Sequence, residues 1–168
     1  MGREAVTNMA KWSAVNEEFT RDDLAKVREL VHTAATEARL HERADDLVLA
    51  VNEVVSNAIR YAGGRGHLTV EHVPDGLLVE VCDHGPGLPP AITSDPPSPD
   101  ATGGRGMWLI RKLCPDLEII SGPSGVTVRL FMTTPDASGS LPVSPAATHS
   151  DPCIPDRKAS GSRSSPRR

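Results

Sequence analysis

The 168-residue chain is poor in aromatics: Trp12, Trp108, Tyr61, Phe19 and Phe131 amount to 3% of it. Any core must therefore be built from Val, Leu, Ile and Ala. Cysteine is scarce as well. Cys82, Cys114 and Cys153 are odd in number and lack a CxxC spacing, which fits a reducing compartment and excludes a disulfide framework. The longest purely apolar run is Leu47–Val51, far short of the ~20 residues of a membrane span. The first twenty residues carry no apolar stretch of the secretory kind, and Val6 stands where myristoylation of a Met1-Gly2 start requires Ser or Thr. With 18 basic and 22 acidic residues, the net charge of -4 lacks the basic excess of a polyanion binder. These absences predict a cytoplasmic protein with no direct nucleic-acid partner and no membrane association.

What is present is unevenly spread. The 33 residues from Asp136 to Arg168 include 8 Ser, 5 Pro and 2 Gly, with 5 basic and 3 acidic side chains. Such a segment cannot bury enough surface to offset its ordering entropy, so a disordered Ser/Pro-rich tail is expected over 136–168. Residues 1–12 read as a loose leader, leaving a folded domain over 13–135. Inside it, Leu88–Gly104 carries five prolines, and an internal loop of that length is usually a functional lid or disordered.

The spacing predicts three helices. Thr20, with Asp22 and Asp23 behind it, suits an N-cap, and Leu24, Val27, Val31, Ala34 and Ala38 follow helical periodicity over 21–39. A second helix spans about Asp45–Ala62, stopped by Gly63-Gly64. Its apolar arc leaves Glu53 and Asn57 outside, one turn apart on one stripe. The third covers Arg105–Leu113 behind a glycine loop. Strands are expected at His67–Val73 and Leu77–Asp83 around the turn Pro74-Asp75-Gly76, and at Leu117–Ser121 and Val126–Met132. Helices and antiparallel strands grouped in this way give an α+β fold. Its form is a two-layer α/β sandwich whose mixed, mostly antiparallel sheet is covered by about three helices.

Three short motifs carry chemistry. In Glu53-Val54-Val55-Ser56-Asn57-Ala58, an acid and an amide one turn apart can face one small site; a carboxylate serves as a general base, and an amide oxygen suits Mg²⁺. Asp83-His84-Gly85-Pro86-Gly87 ends a strand with an acceptor beside glycines that permit close backbone approach, a combination suited to a flat, donor-bearing ring. Gly103-Gly104-Arg105-Gly106 opens a helix, and backbone N–H groups at a helix N-terminus attract phosphate. Neither a Rossmann fingerprint nor a Walker A loop is present. Taken singly, each motif has an ordinary structural explanation: a solvated helix face, an Asp-Gly turn, a flexible loop. Cys82, His84, His67 and His72 fall short of the spacing of a structural zinc site.

In order and spacing the three motifs together resemble the histidine-kinase-like ATPase (GHKL, or Bergerat) superfamily, shared by sensor kinases, gyrase and MutL, over about residues 20–132. With E-x-x-x-N-A-x-x-Y-A the chain looks most like the single-domain bacterial anti-sigma-factor serine/threonine kinases. The resemblance implies ATP and Mg²⁺ as ligands. Asn57 then matches the Mg²⁺-binding asparagine, Glu53 the catalytic base, and Asp83 the acceptor of the adenine amino group. Gly85 and Gly87 match the glycines framing the adenine pocket, residues 88–104 the ATP lid, and Gly104 and Gly106 its hinge. Thr127 matches a threonine that supports the aspartate through water, and Arg60 and Arg105 would reach the phosphates. Tyr61 stands where many relatives have histidine, and the lid is richer in proline than is usual. No phosphoacceptor-histidine helix pair precedes the domain, which points away from a complete sensor kinase. The implied partners are a sigma factor, held inactive, and an anti-anti-sigma (STAS-type) protein phosphorylated on Ser or Thr; the resemblance also allows a homodimer. The rival expectation is a non-catalytic, nucleotide-gated module that binds a partner without phosphoryl transfer.

Overall fold

The structure, a computed structural model, describes residues 14–88 and 104–135. The expected leader, the tail and all of the lid but its two end residues lie outside the described residues. In chain order the elements are β1 (Ala14–Thr20), a 3₁₀ turn (Arg21–Asp23), α1 (Leu24–Glu37), α2 (Arg43–Tyr61), β2 (Arg65–Val73), β3 (Gly76–Asp83), α3 (Arg105–Leu113), β4 (Asp116–Gly122) and β5 (Gly125–Thr133). No helix among the described residues is long and apolar enough to cross a membrane.

The five strands form one sheet in the order β1-β2-β3-β5-β4. Expected to be mostly antiparallel, it is antiparallel at every pairing. Alternation sets its two faces. Leu68 and Val70 of β2, Leu77, Val79 and Val81 of β3, and Val126, Val128, Leu130 and Met132 of β5 are buried. They meet the buried stripes of α1 (Val27, Val31) and α2 (Leu47, Val51, Val54, Val55) in a single aliphatic core, and each such side chain contributes roughly 1.5–3 kcal/mol through burial. The opposite face carries an ionic row: Arg129 Nε donates to Glu80 Oε2 at 2.7 Å and Nη1 to Glu118 Oε2 at 3.1 Å.

Three details differ from the sequence expectation. Strand β1 was not among the expected elements, because its inward apolar residues Val15 and Phe19 are four apart, a spacing that fits strand and helix periods alike. The first helix begins later than position 21: the Asp23 carboxylate accepts from both the backbone N–H (2.8 Å) and the hydroxyl (2.7 Å) of Thr20, closing a 3₁₀ turn ahead of α1. Lastly, Cys114 is free and buried, whereas Cys82 is disulfide-bonded, which the reading of reduced thiols did not anticipate. Helix α2 ends as expected, with Gly63 and Gly64 at φ 86° and 84° beyond its C-cap.

Candidate functional site

An open cleft lies where the C-terminal half of α2, the end of β3, the start of α3 and β5 converge. Val54, Ala58, Met107, Val126 and Val128 form its apolar wall, and Asn57 and Asp83 are its polar groups. The wall follows from the core pattern, since the same faces of α2 and β5 continue outward past the last covering side chain.

At one end, the backbone is tied to Asp83. Its Oδ1 accepts from the N–H of Gly85 at 2.9 Å and of Val126 at 3.2 Å, which fixes the carboxylate at the strand end. A Cβ on Gly85 would fall 2.6 Å from Ala62 Cβ, so this loop can lie against the end of α2 only as glycine. Gly87 has φ 86°, and a Cβ there would fall 2.6 Å from the carbonyl oxygen of Gly122. Leu88 N–H then donates to Ser121 Oγ at 2.8 Å, joining the loop to the β4–β5 hairpin.

At the other end, Glu53 and Asn57 reach from α2 toward the first turn of α3, where both side chains lie close to Gly106. Gly104 is the N-cap of α3, in the left-handed region at φ 87°, a conformation that favours glycine. Arg105 is exposed on that first turn, and Arg60 is exposed with its guanidinium 5.7 Å from the Tyr61 ring centroid. Neither arginine lines the cleft, although Tyr61 does. The donor set suits Mg²⁺: one amide oxygen beside a carboxylate leaves most coordination positions to phosphate and water, as that ion prefers.

Residues 18–132 match the family model of the histidine kinase-like ATPase domain. The chain belongs to that family. The sensor protein CseC of Streptomyces coelicolor is 29% identical over 137 residues, covering 70% of this chain and 26% of the relative; the chain thus spans about a quarter of that protein's length. Solved structures that align with it include a histidine kinase domain from a blue-light activated histidine kinase of Erythrobacter litoralis, with 21% identity, TM-score 0.47 and coverage of 65% of this chain and 62% of that one. Another is the histidine kinase AdeS of Acinetobacter baumannii, with 17% identity, TM-score 0.44 and coverage of 73% and 68%.

In this histidine kinase-like ATPase domain, Asn57, Asp83, Gly85 and Gly87 line one cleft and Glu53 meets Gly106 beside Asn57, whereas Thr127 does not join them. Thr127 pairs with Cys82 in the β3–β5 register, and the two side chains meet at 3.4 Å on the ionic face of the sheet. A disulfide sulfur carries no proton, so the Thr127 hydroxyl is the donor. Support for Asp83 comes instead from the backbone N–H of Val126. The signal for this was in the sequence: Val126 and Val128 share the parity of the core residues Leu130 and Met132, which leaves Thr127 facing the other way. Met107 and Val54, both buried in the core, also wall the cleft.

Proposed function

We propose that the domain binds ATP with Mg²⁺ and transfers the γ-phosphoryl group to a Ser or Thr hydroxyl of an anti-anti-sigma (STAS-type) protein, while in its other role it sequesters a sigma factor. The observation that carries this reading is one apolar cleft with a backbone-fixed carboxylate, Asp83, at one end and the Glu53–Asn57 pair beside a helix N-terminus at the other. A purine slides between Val54, Ala58, Met107 and Val128, and its exocyclic amino group donates to Asp83. The phosphates extend toward α3, whose first-turn N–H groups and positive dipole end favour anions. Asn57 would hold Mg²⁺, which supplies charge neutralisation on the phosphate oxygens. Glu53 accepts the proton of the attacking hydroxyl, and Arg105 and Arg60 reach the phosphates from outside the cleft. Such a transfer needs positioning more than covalent chemistry from the protein. The anti-sigma assignment rests on the motif E-x-x-x-N-A-x-x-Y-A.

The test is a transfer assay with labelled Mg-ATP and a purified STAS-type protein, comparing the parent with Glu53→Gln. Acid-stable label on the acceptor, falling ~10²–10⁴-fold in the variant while nucleotide binding persists, is the expected result. Acid-labile label would instead assign the acceptor as histidine. Nucleotide binding with no transfer from the parent would leave a nucleotide-gated binding module.

A further inference from the structure

Gly106 is the only glycine within a helix among the described residues, and its backbone does not call for one. Gly104, two residues earlier, sits at a positive φ, but Gly106 does not. Alanine at a helical position of this kind is the better helix former. The constraint is what a side chain would meet. A Cβ at Gly106 would fall 2.7 Å from Glu53 Oε2 and 3.8 Å from its Cδ, with Asn57 Nδ2 at 3.6 Å. The closest of these atoms belongs to the far end of a flexible side chain. A methyl group here would therefore leave the backbone in place and drive the Glu53 carboxylate away.

We infer that Gly106 is a positioning residue for Glu53: its bare Cα admits the carboxylate against the first turn of α3. That turn presents N–H groups without intrahelical partners and the positive end of the helix dipole. The position of the base is thus set by two helices at once, α2 supplying the residue and α3 the space. This differs from a hinge role, which needs backbone freedom, and from a role in admitting phosphate, which would not depend on residue 53. The inference rests on the proposed role of Glu53 for its consequence in catalysis, but the contact itself is independent of that role.

Two double-mutant cycles on the full chain test it, pairing Gly106→Ala with Glu53→Asp and with Glu53→Ala. Gly106→Ala lowers kcat for transfer ~10–100-fold, the scale of a 1 Å misplacement. It leaves the Kd for Mg-ADP within about twofold. Glu53→Asp withdraws the acid by one methylene, so adding Gly106→Ala to it lowers kcat by less than about threefold further. In the nucleotide-free protein, Gly106→Ala lowers Tm when Glu53 is present and raises it by about 2–4 °C in the Glu53→Ala background, where only the gain in helix propensity remains. Loss of Mg-ADP affinity by about tenfold in both the parent and Glu53→Asp would overturn the inference in favour of a phosphate role. An equal Tm change with Glu53 or Ala at 53 would overturn it as well. If the parent neither binds Mg-ADP nor transfers phosphate, the proposed function falls, and the Tm cycle alone decides the contact.

Discussion

The two ends of the cleft are built on different principles. At the Asp83 end the parts are backbone: N–H groups of Gly85 and Val126 on one carboxylate oxygen, and Leu88 N–H on Ser121. At the Glu53 end the parts are side chains from α2 set against α3, and their places are defined by packing. Hydrogen bonds to a strand end give a fixed acceptor, as recognition of a flat ring requires. Side chains placed by the packing of two helices hold their position only while that packing is kept, and a proton transfer depends on that position. One end is fixed by hydrogen bonds and the other by packing.

That contrast can be broken or sharpened. Asp83→Asn is the largest expected effect at the fixed end. Asn keeps a carbonyl oxygen for both N–H groups, so the loop stays folded, but the charged acceptor is gone. The ~2.7 kcal/mol of stabilisation expected at a hundredfold excess of Mg-ATP over Kd disappears, as a thermal-shift titration reads directly. Gly87→Ala comes next. It forces a side chain into the left-handed region and onto the Gly122 carbonyl, costing about 1–3 kcal/mol of stability by denaturant melts and weakening nucleotide binding with it. Ser121→Ala is milder: Leu88 N–H loses its partner but turns to water, so about 0.5–1 kcal/mol is lost, and binding falls by less than in Gly87→Ala.

The last effect lies at the far end of α3, away from the cleft, and is confined to alkaline pH. Burial pushes the Cys114 thiol from 9.0 up to about 12, and Sγ donates to the Phe131 carbonyl at 3.3 Å. Folding therefore favours the protonated thiol. Its contribution is full below pH 9 and drains away as the pH rises toward 12. A chemical-denaturation series across that range should show the decline, and Cys114→Ala should flatten it. At neutral pH the thiol should resist alkylation until the protein unfolds.

Much of this was legible in the sequence, for reasons that differ by residue. Glu53 and Asn57 stood out because a one-turn spacing outside an apolar arc is a local fact. Asp83 was visible as the polar end of an alternating strand. The Val126 N–H was not, because a backbone donor leaves no mark in the residue type. The Glu53–Gly106 contact joins residues on two packed helices, and no local periodicity reports which glycine a distant acid touches. For Thr127 the alternation of β5 already pointed away from the cleft, and the resemblance to relatives outweighed it. Strand β1 stayed hidden because two apolar residues four apart do not choose between periods.

The row Glu80–Arg129–Glu118 has a consequence for the cleft on the other side of the sheet. Arg129 alternates with Val128 and Leu130 on β5, so a slip of one residue between β5 and its neighbours would carry the guanidinium into the aliphatic core and Thr127 toward the nucleotide. Stripped of its two carboxylates and of water, that charge would cost several kcal/mol, enough to empty the slipped state. Three charged side chains that touch no ligand thus act as a register lock, guaranteeing that valine and not threonine faces the cleft.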